Sequence, residues 1–328
     1  MCIPLYQEAR ELKLVSYGPV ASERAGILID DEIVDLAKAL EACRVDLVCP
    51  TIRTFLERPD WFDLLQEVLQ HESGDRVELG EVRLGAPIPR PGNVFVVGAN
   101  TFSHVREASE HTRGLPPKQP MILAKATSSL TGPFDPIAFP AATRKLDYEV
   151  ELGVVIGGVT RRIGEEDALE AVAGYLVVND LSARDVQLAE AEDNTFYRTH
   201  YLGKSFDGFC PAGPWLVTRD EIPDPGTLSL RTWVNDDLRQ DGSTADLCFG
   251  VAGLVSYLSS VVTLLPGDLI LTGSPAGVAA FREDEAYLFP GDLVRCEVGR
   301  VGCIENRITS EGVTSYPSAA NKNEQTSG

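Results

Sequence analysis

Residues 146–156 read LDYEVELGVVI and carry acids at alternating positions, Asp147, Glu149 and Glu151. The apolar residues around them predict a β-strand, in which alternate side chains point to the same face. Neighbouring carboxylates repel one another, and no basic residue separates these three in sequence, so the strand predicts a bound cation. Oxygen ligands favour a hard ion such as magnesium, manganese or calcium. The alternative is a solvated outer face of an antiparallel strand.

A fourth acid bears on this choice. The apolar run 171–178 continues into Asn179 and Asp180, where a strand end would meet a loop. Together with Glu149 and Glu151, Asp180 would leave half of an octahedral shell open to water or substrate. Lewis-acid catalysis requires that open half. The sequence therefore favours a divalent metal site over a solvated face.

The composition excludes several classes of partner. The chain has 328 residues, of which 44% are hydrophobic and 24% charged, as in ordinary globular proteins. Its formal net charge of −20 argues against a nucleic-acid surface and an anionic membrane surface. A small anionic substrate remains compatible, because a local metal and a few bases can override the global field.

The cysteines and the termini indicate the compartment. The seven cysteines are scattered and form no CxxC pair, so free thiols in a reducing compartment are expected and a thiolate zinc site is not. The first ten residues lack the pattern of a signal peptide, and no apolar run approaches the roughly 18 residues of a membrane span. We therefore expect a cytoplasmic protein without a membrane partner.

The pattern of elements predicts a β-rich α+β protein. Residues 1–90 contain short strands, helical patches near 36–43, 51–57 and 61–70, and a proline-rich linker, which predicts a small N-terminal α+β domain. Residues 91–309 contain mostly short strands, with helices expected at 103–112, 165–172 and 245–258. The polar tail, residues 310–328, is expected to be disordered.

Several further side chains could take part in chemistry. His104 and Glu107 share a helical face if Ser103 caps that helix, and they form either a general-base dyad or an exposed ion pair. Arg184 and Asp185 could form a buried ion pair, and Gln187 could donate to substrate. Lys204 alone would be expected on the surface. The segment 271–278 could present backbone N–H groups to an anion or could be a simple turn.

Taken in order, these segments resemble the fumarylacetoacetate hydrolase family. The resemblance covers about residues 94–308, through VGANTFSH at 97–104, LDYEVELG at 146–153, AGYLVVNDLSARDVQ at 173–187, GKSF at 203–206, GPWLVT at 213–218 and PGDLILTGSPAG at 266–277. It implies a rolled mixed β-sandwich catalytic domain, in a homodimer. Two departures, Thr101 and Ser274, fall beside the expected pocket, where the family often has tyrosine and threonine.

The resemblance also implies roles for particular residues. Glu149, Glu151 and Asp180 would bind Mg²⁺, Mn²⁺ or Ca²⁺, and His104 with Glu107 would form a dyad on a lid segment. Lys204 would lie close to the reacting atoms of the substrate. The other family positions would bind the substrate, and these are Gln187, Thr272, Gly273 and Ser274.

The expected reaction is hydrolytic C–C cleavage of an acylpyruvate-like 1,3-dioxo acid through a metal-stabilised enolate. In this hypothesis, His104 and Glu107 activate water, and Lys204 stabilises the developing negative charge. One alternative is isomerisation or decarboxylation of a small anionic 2-oxo acid on the same metal site. Another is a divergent member that binds a metabolite without turnover.

Overall fold

In the computed structural model, which describes residues 12–45, 47, 50–71, 74–188 and 199–310, the acidic segment forms two strands in different sheets instead of the single strand predicted, and Tyr148 and Glu149 lie between them. The strands of the described residues are β1 Lys13–Tyr17, β2 Arg24–Ile29, β3 Glu32–Asp35, β4 Arg76–Glu78, β5 Leu84–Gly85, β6 Val94–Gly98, β7 Met121–Ala124, β8 Leu130–Thr131, β9 Ile137–Ala138, β10 Leu146–Asp147, β11 Val150–Ile156, β12 Val172–Asn179, β13 Ser182–Ala183, β14 Cys210–Thr218, β15 Ser229–Val234, β16 Asp237–Ser243, β17 Leu269–Leu271, β18 Leu293–Val298 and β19 Gly302–Thr309.

Within the described residues, α-helices are fewer than strands. The α-helices of the described residues are α1 Leu36–Ala42, α2 Ile52–Leu56, α3 Trp61–His71, α4 Phe102–Glu107, α5 Ser109–Thr112, α6 Arg184–Gln187, α7 His200–Gly203 and α8 Val251–Val261. Short 3-10 helices span Leu79–Glu81, Thr127–Ser129, Glu165–Ala171, Arg219–Glu221, Pro225–Thr227, Thr244–Asp246 and Ala279–Phe281. The β-rich α+β class is therefore confirmed.

Three sheets organise the strands. The largest has the order β4-β3-β2-β1-β14-β12-β11-β17-β6-β7, with β5 paired to β1 and β8 to β14. A second sheet has the order β16-β15-β18-β19-β9, and β10 pairs with β13. Most pairs are antiparallel, but β17–β6, β14–β8 and β19–β9 are parallel, so the architecture is mixed, as expected.

Alternation along β11 divides its side chains between two cores. Leu152 and Val154 pack in one cluster with residues of β15, β18 and β19, which joins the two larger sheets face to face. Val155 belongs to a second cluster that contains residues of α1, α2 and α3. Glu149 and Glu151 share the parity of Val155, so the face of β11 that turns from the sandwich core carries the acids.

The N-terminal segment continues the main sheet. β1 pairs with β14 through Lys13↔Val217 and Leu14↔Leu216. The predicted domain boundaries at residues 90 and 309 stay predictions. Residues 1–11 lie outside the described residues, as does almost all of the predicted tail. Across the described ranges, no helix combines the length and hydropathy needed to cross a membrane.

Local predictions near the lid need correction. The expected helix 103–112 is divided into α4 and α5 at Ala108, whose φ of −83° and ψ of 25° lie outside the helical region. Thr101, not Ser103, caps α4, because its Oγ1 accepts a hydrogen bond from the backbone N–H of His104 at 3.2 Å. Residues 165–171 form a 3-10 helix, and α8 begins at Val251, later than predicted.

Candidate metal and catalytic site

Three acids selected from the sequence meet between two neighbouring strands. Glu149 directly precedes β11 and Glu151 lies within it. Asp180 follows β12, where its backbone N–H donates to the carbonyl oxygen of Glu149 at 2.8 Å. One oxygen atom from each of the three carboxylates lies within 4.8 Å of the others, and all three side chains are buried. The antiparallel pairing of the two strands therefore assembles the cluster.

Arg184 is the first of three buried cations beside this cluster. Its Nε donates to Oδ2 of Asp147 at 2.8 Å and its Nη2 to Oε1 of Glu149 at 2.5 Å. The suggested Arg184–Asp185 pair does not form, because Asp185 instead accepts from the hydroxyl of Thr143 at 2.5 Å. Asp147 therefore fixes the arginine, and a cation distant in sequence does lie among the acids.

Lys204 is the second cation, and it is not a surface residue. Its Nζ donates to Oε2 of Glu149 at 2.6 Å, to Oδ2 of Asp180 and to the hydroxyl of Ser182 at 3.0 Å. The side chain is 4% exposed. Lys204 follows α7, whose close packing on α6 brings the ammonium into the cluster.

Lys125 is a third buried cation that the sequence analysis missed. It follows β7, and its Nζ donates to Oδ1 of Asp180 and to the carbonyl oxygens of Leu181 at 3.2 Å and Phe209 at 2.5 Å. Its side chain is fully buried. The available signal was a lysine directly after the apolar run of residues 121–124, where a strand end meets the core.

The surroundings shift the pKa values of two carboxyl groups of the cluster in opposite directions. Burial raises the pKa of Glu151 well above its usual value, and the charges of Asp180 and Glu149 raise it further. Burial also acts to raise the pKa of Glu149, but Arg184 and Lys204 outweigh it and hold that pKa below its usual value. Mutual repulsion of buried carboxylates is relieved by a cation between them.

The donor set fits a divalent metal ion. The buried acids around the cluster are Asp147, Glu149, Glu151 and Asp180, and the buried bases are Lys125, Arg184 and Lys204. In their charged forms these groups leave one negative charge in excess. Three carboxylate oxygens within bonding reach of one point, without nitrogen or sulfur, match the preference of hard cations.

The turn after β17 borders the same cluster. The backbone N–H of Gly273 donates to Oε2 of Glu151 at 2.5 Å, and Gly273 has a φ of +106°, which disfavours a side chain there. The hydroxyl of Thr272 donates to the carbonyl oxygen of Leu152 at 3.0 Å. Ser274 lines the cavity described below and accepts from the amide of Gln240 at 2.7 Å.

The histidine–glutamate pair lies on another element, α4, which forms a second wall of the site. Nδ1 of His104 and Oε1 of Glu107 are 2.7 Å apart, and the side chains are 13% and 16% exposed, so the pair is largely buried. Because a carboxylate only accepts, the ring proton lies on Nδ1 and Nε2 is left as the proton acceptor. Oε2 of Glu107 accepts from the backbone N–H of Gly277 at 2.8 Å, which joins the lid helix to the turn.

A cavity of about 280 Å³ brings the two walls together. That volume lies at the small end of the roughly 300–1,000 Å³ range of small-molecule sites. Its polar lining includes His104, Glu149, Glu151, Asp180, Arg184, Gln187, His200, Lys204 and Ser274. A larger groove of about 750 Å³ around Trp215 lacks such a carboxylate cluster. Of the predicted residues, Glu107 and Gly273 do not line the cavity but hydrogen-bond to His104 and Glu151, which do. Thr272 bonds to Leu152, which is not a lining residue.

The chain is similar to known proteins over most of its length. Residues 93–309 match the family described as fumarylacetoacetate (FAA) hydrolase C-terminal. The chain belongs to the fumarylacetoacetate hydrolase family. Oxaloacetate tautomerase fahd2, mitochondrial, of Xenopus laevis is 42% identical over 304 residues, which cover 92% of this chain and 91% of that protein.

Solved structures of family members share the fold. A maleylpyruvate hydrolase from Sphingobium sp. SYK-6, in complex with manganese(II) and pyruvate, has a TM-score of 0.70 and 29% identity over 91% of this chain and 99% of that chain. A 5-carboxymethyl-2-hydroxymuconate delta-isomerase from Mycobacterium smegmatis has a TM-score of 0.69 and 29% identity over 91% and 100%. Members of the fumarylacetoacetate hydrolase family are enzymes, and so is this protein.

Proposed function

We propose that the protein interconverts the keto and enol forms of a small 2-oxo dicarboxylic acid of the oxaloacetate type. The observation that carries the proposal is the dyad of His104 and Glu107, which faces a buried carboxylate cluster in one small cavity. The tautomerase that is 42% identical over nearly the whole chain supports the choice of substrate. This corresponds to the isomerase alternative of the sequence analysis, and it replaces hydrolysis as the leading hypothesis.

In this proposal Glu149, Glu151 and Asp180 hold Mg²⁺ or Mn²⁺. The oxygen-only donor set supports that assignment, as does the manganese in the related maleylpyruvate hydrolase structure. When bound, the divalent ion supplies Lewis-acid stabilisation of negative charge on the substrate oxygens. Lys204 adds a buried positive charge on the same side, and Gln187 with the Thr272–Ser274 turn would border the substrate.

The chain's own residues account for the proton transfer. Nε2 of His104 takes a proton from C3 of the ketone. The electrons of that C–H bond form the C2=C3 double bond, and the π electrons of the C2 carbonyl move onto its oxygen. Glu107 stabilises the imidazolium through Nδ1–H. The imidazolium then releases its proton, directly or through water, to the oxygen at C2. No atom is gained or lost, so the net change is isomerisation.

Hydrolysis of an acylpyruvate is the second candidate, which the maleylpyruvate hydrolase structure favours. In that case Nε2 of His104 takes a proton from water. The hydroxide adds to the distal carbonyl, and the C–C bond breaks towards the enolate of pyruvate. Decarboxylation of the same 2-oxo acid is a third outcome of this chemistry. A non-catalytic role is not retained, because the family consists of enzymes.

One experiment separates these reactions. Enol-oxaloacetate is added to the Mg²⁺-loaded protein, and its ultraviolet absorbance and the release of CO₂ are followed. We expect rapid loss of the enol without CO₂. With an acylpyruvate as the substrate in ¹⁸O-labelled water, we expect no ¹⁸O-labelled carboxylic acid product. Glu151→Gln should abolish both Mg²⁺ binding and turnover, whereas Glu81→Gln, an exposed control, should change neither. Cleavage of the acylpyruvate to pyruvate and an ¹⁸O-labelled carboxylic acid, with tautomerisation only at the background rate, would establish the hydrolase instead.

Two sequence predictions remain predictions here. The homodimer and the cytoplasmic location rest on the sequence analysis, and one relative is named as mitochondrial. Size-exclusion chromatography with light scattering and localisation of a tagged chain test them.

A further inference from the structure

The cavity contains a second histidine that the proposed mechanism does not use. His200 begins α7 and lines the cavity together with His104. Gly203 allows α7 to lie against α6, since a Cβ at that position would be 2.5 Å from Cβ of Gln187. The hydroxyl of Thr199 donates to the carbonyl oxygen of Val186 at 2.9 Å and fixes the start of the same helix. The placement of His200 is therefore built into the packing of the two helices.

A chain of hydrogen bonds sets the polarity of the His200 ring. Nη1 of Arg184 donates to Oε1 of Gln187 at 2.9 Å, and a guanidinium can only donate. The carboxamide is thereby oriented with Nε2 towards Nδ1 of His200, at 3.3 Å. An amide nitrogen also only donates, so Nδ1 of His200 is an acceptor and the neutral ring carries its proton on Nε2.

The two histidines of the cavity thus have opposite polarity. Nε2 of His104 accepts, whereas Nε2 of His200 donates. A proton acceptor suits the reacting C–H bond, and a fixed N–H donor suits an anionic group of the substrate. Much of the remaining wall is apolar, with Val97, Met121 and Leu123 among the lining residues. A donor in such surroundings discriminates strongly between a carboxylate and a methyl group.

We propose that His200 is a substrate-binding residue whose Nε2–H binds the distal carboxylate of the 2-oxo dicarboxylic acid. This rests on the proposed function, which it deepens by naming what selects a dicarboxylic acid over an acid with an apolar tail. Arg184 and Gln187 act as positioning residues, because they hold the ring in the donating tautomer. The same arginine contacts Glu149, so recognition of the distal end is coupled to the carboxylate cluster.

The test compares two unreactive ligands that share one end. Malate and 2-hydroxybutanoate carry the same 2-hydroxy acid group, but a methyl replaces the distal carboxylate in the second. Their dissociation constants for the Mg²⁺-loaded protein are measured by calorimetry. We expect malate to bind roughly tenfold or more tightly than 2-hydroxybutanoate. His200→Phe should reduce that preference to near unity, and His200→Gln, which retains an N–H₂ near the position of Nε2, should restore most of it.

Controls keep the result specific. Oxalate, which lacks a distal group, should bind wild type and His200→Phe equally, and Tyr201→Phe on the exposed side of α7 should keep the malate preference. If His200→Phe also loses oxalate binding, the malate preference is measured in His200→Asn instead. An asparagine there can accept the hydrogen bond from Gln187 but has no N–H at the position of Nε2. The assignment is overturned if the variant that still binds oxalate keeps the full preference for malate over 2-hydroxybutanoate. It is also overturned if the wild-type protein shows no such preference. Because the readout is binding, a failed tautomerase assay would reject the proposed function without altering this ratio.

Discussion

The two walls of the cavity are built in contrasting ways. The carboxylate wall stands on β11 and β12, and its charged side chains are almost fully buried, with Asp180 and Lys204 at 0% and 4% exposure. The lid wall stands on α4, a helix of 6 residues, where His104 retains 13% exposure. A site that must hold a metal gains from rigid strands, because each buried charge needs fixed partners. The base needs only one correct orientation, which a short helix and a few hydrogen bonds can supply.

Substitution of His104 should have the largest effect and act on catalysis alone. His104→Ala removes the proton acceptor, so turnover should fall by about 10²–10⁴-fold. Mg²⁺ affinity should stay nearly unchanged, because the carboxylates lie on the other wall. Steady-state kinetics and metal calorimetry on the same preparation check both halves of this expectation.

The partner glutamate provides the control for that substitution. Glu107→Gln keeps a hydrogen-bonding side chain at the ring but loses the charge that stabilises the imidazolium, so its turnover should lie between wild type and His104→Ala. Turnover that survives His104→Ala would contradict the assignment of the dyad and the contrast between the walls.

Substitution of Lys125 tests the carboxylate wall. We expect it to lower the stability of the protein more than its turnover. Lys125→Met removes one of the two lysine partners of Asp180, which keeps Lys204, and leaves two buried carbonyl oxygens without that donor. Breaking a buried pair in this way costs about 3–5 kcal/mol of unfolding free energy. Urea denaturation of the metal-free protein measures the loss.

The matched control is the same change at an exposed ion pair. Lys38→Met removes the contact with Glu41 on the surface of α1, where solvent screens both charges, and should leave the urea midpoint unchanged. Equal midpoints for the two variants would show that Lys125 is not part of the charge balance of the carboxylate wall.

Sequence patterns anticipated what is local or periodic. Alternation placed Glu149 and Glu151 on one face, and the end of an apolar run located Asp180. These features depend on spacing along one or two strands, which the sequence displays directly.

Partners that come from distant segments could not be anticipated in that way. Lys125 reaches Asp180 across 55 positions of sequence, and Arg184 chooses Asp147 and Glu149 over its neighbour Asp185. Such choices depend on how β7, β12 and α6 are brought together by the fold. The resemblance to a family supplied the role of Lys204, whereas nothing in the pattern around His200 indicated that it would line the cavity.

Thr101 joins α4 to the turn after β17, and its substitution should give the smallest effect. Its hydroxyl accepts from the backbone N–H of His104 at 3.2 Å and donates to the carbonyl oxygen of Ser274 at 2.8 Å. Thr101→Val keeps the shape but removes the cap, which should cost about 1 kcal/mol of stability. Because α4 carries His104, turnover should fall together with stability, while Mg²⁺ affinity stays constant.

The control Thr101→Ser, which retains the hydroxyl, should recover both stability and turnover. Loss of Mg²⁺ affinity in Thr101→Val would mean that the lid and the carboxylate wall form one mechanical unit, and the contrast drawn between them would fail.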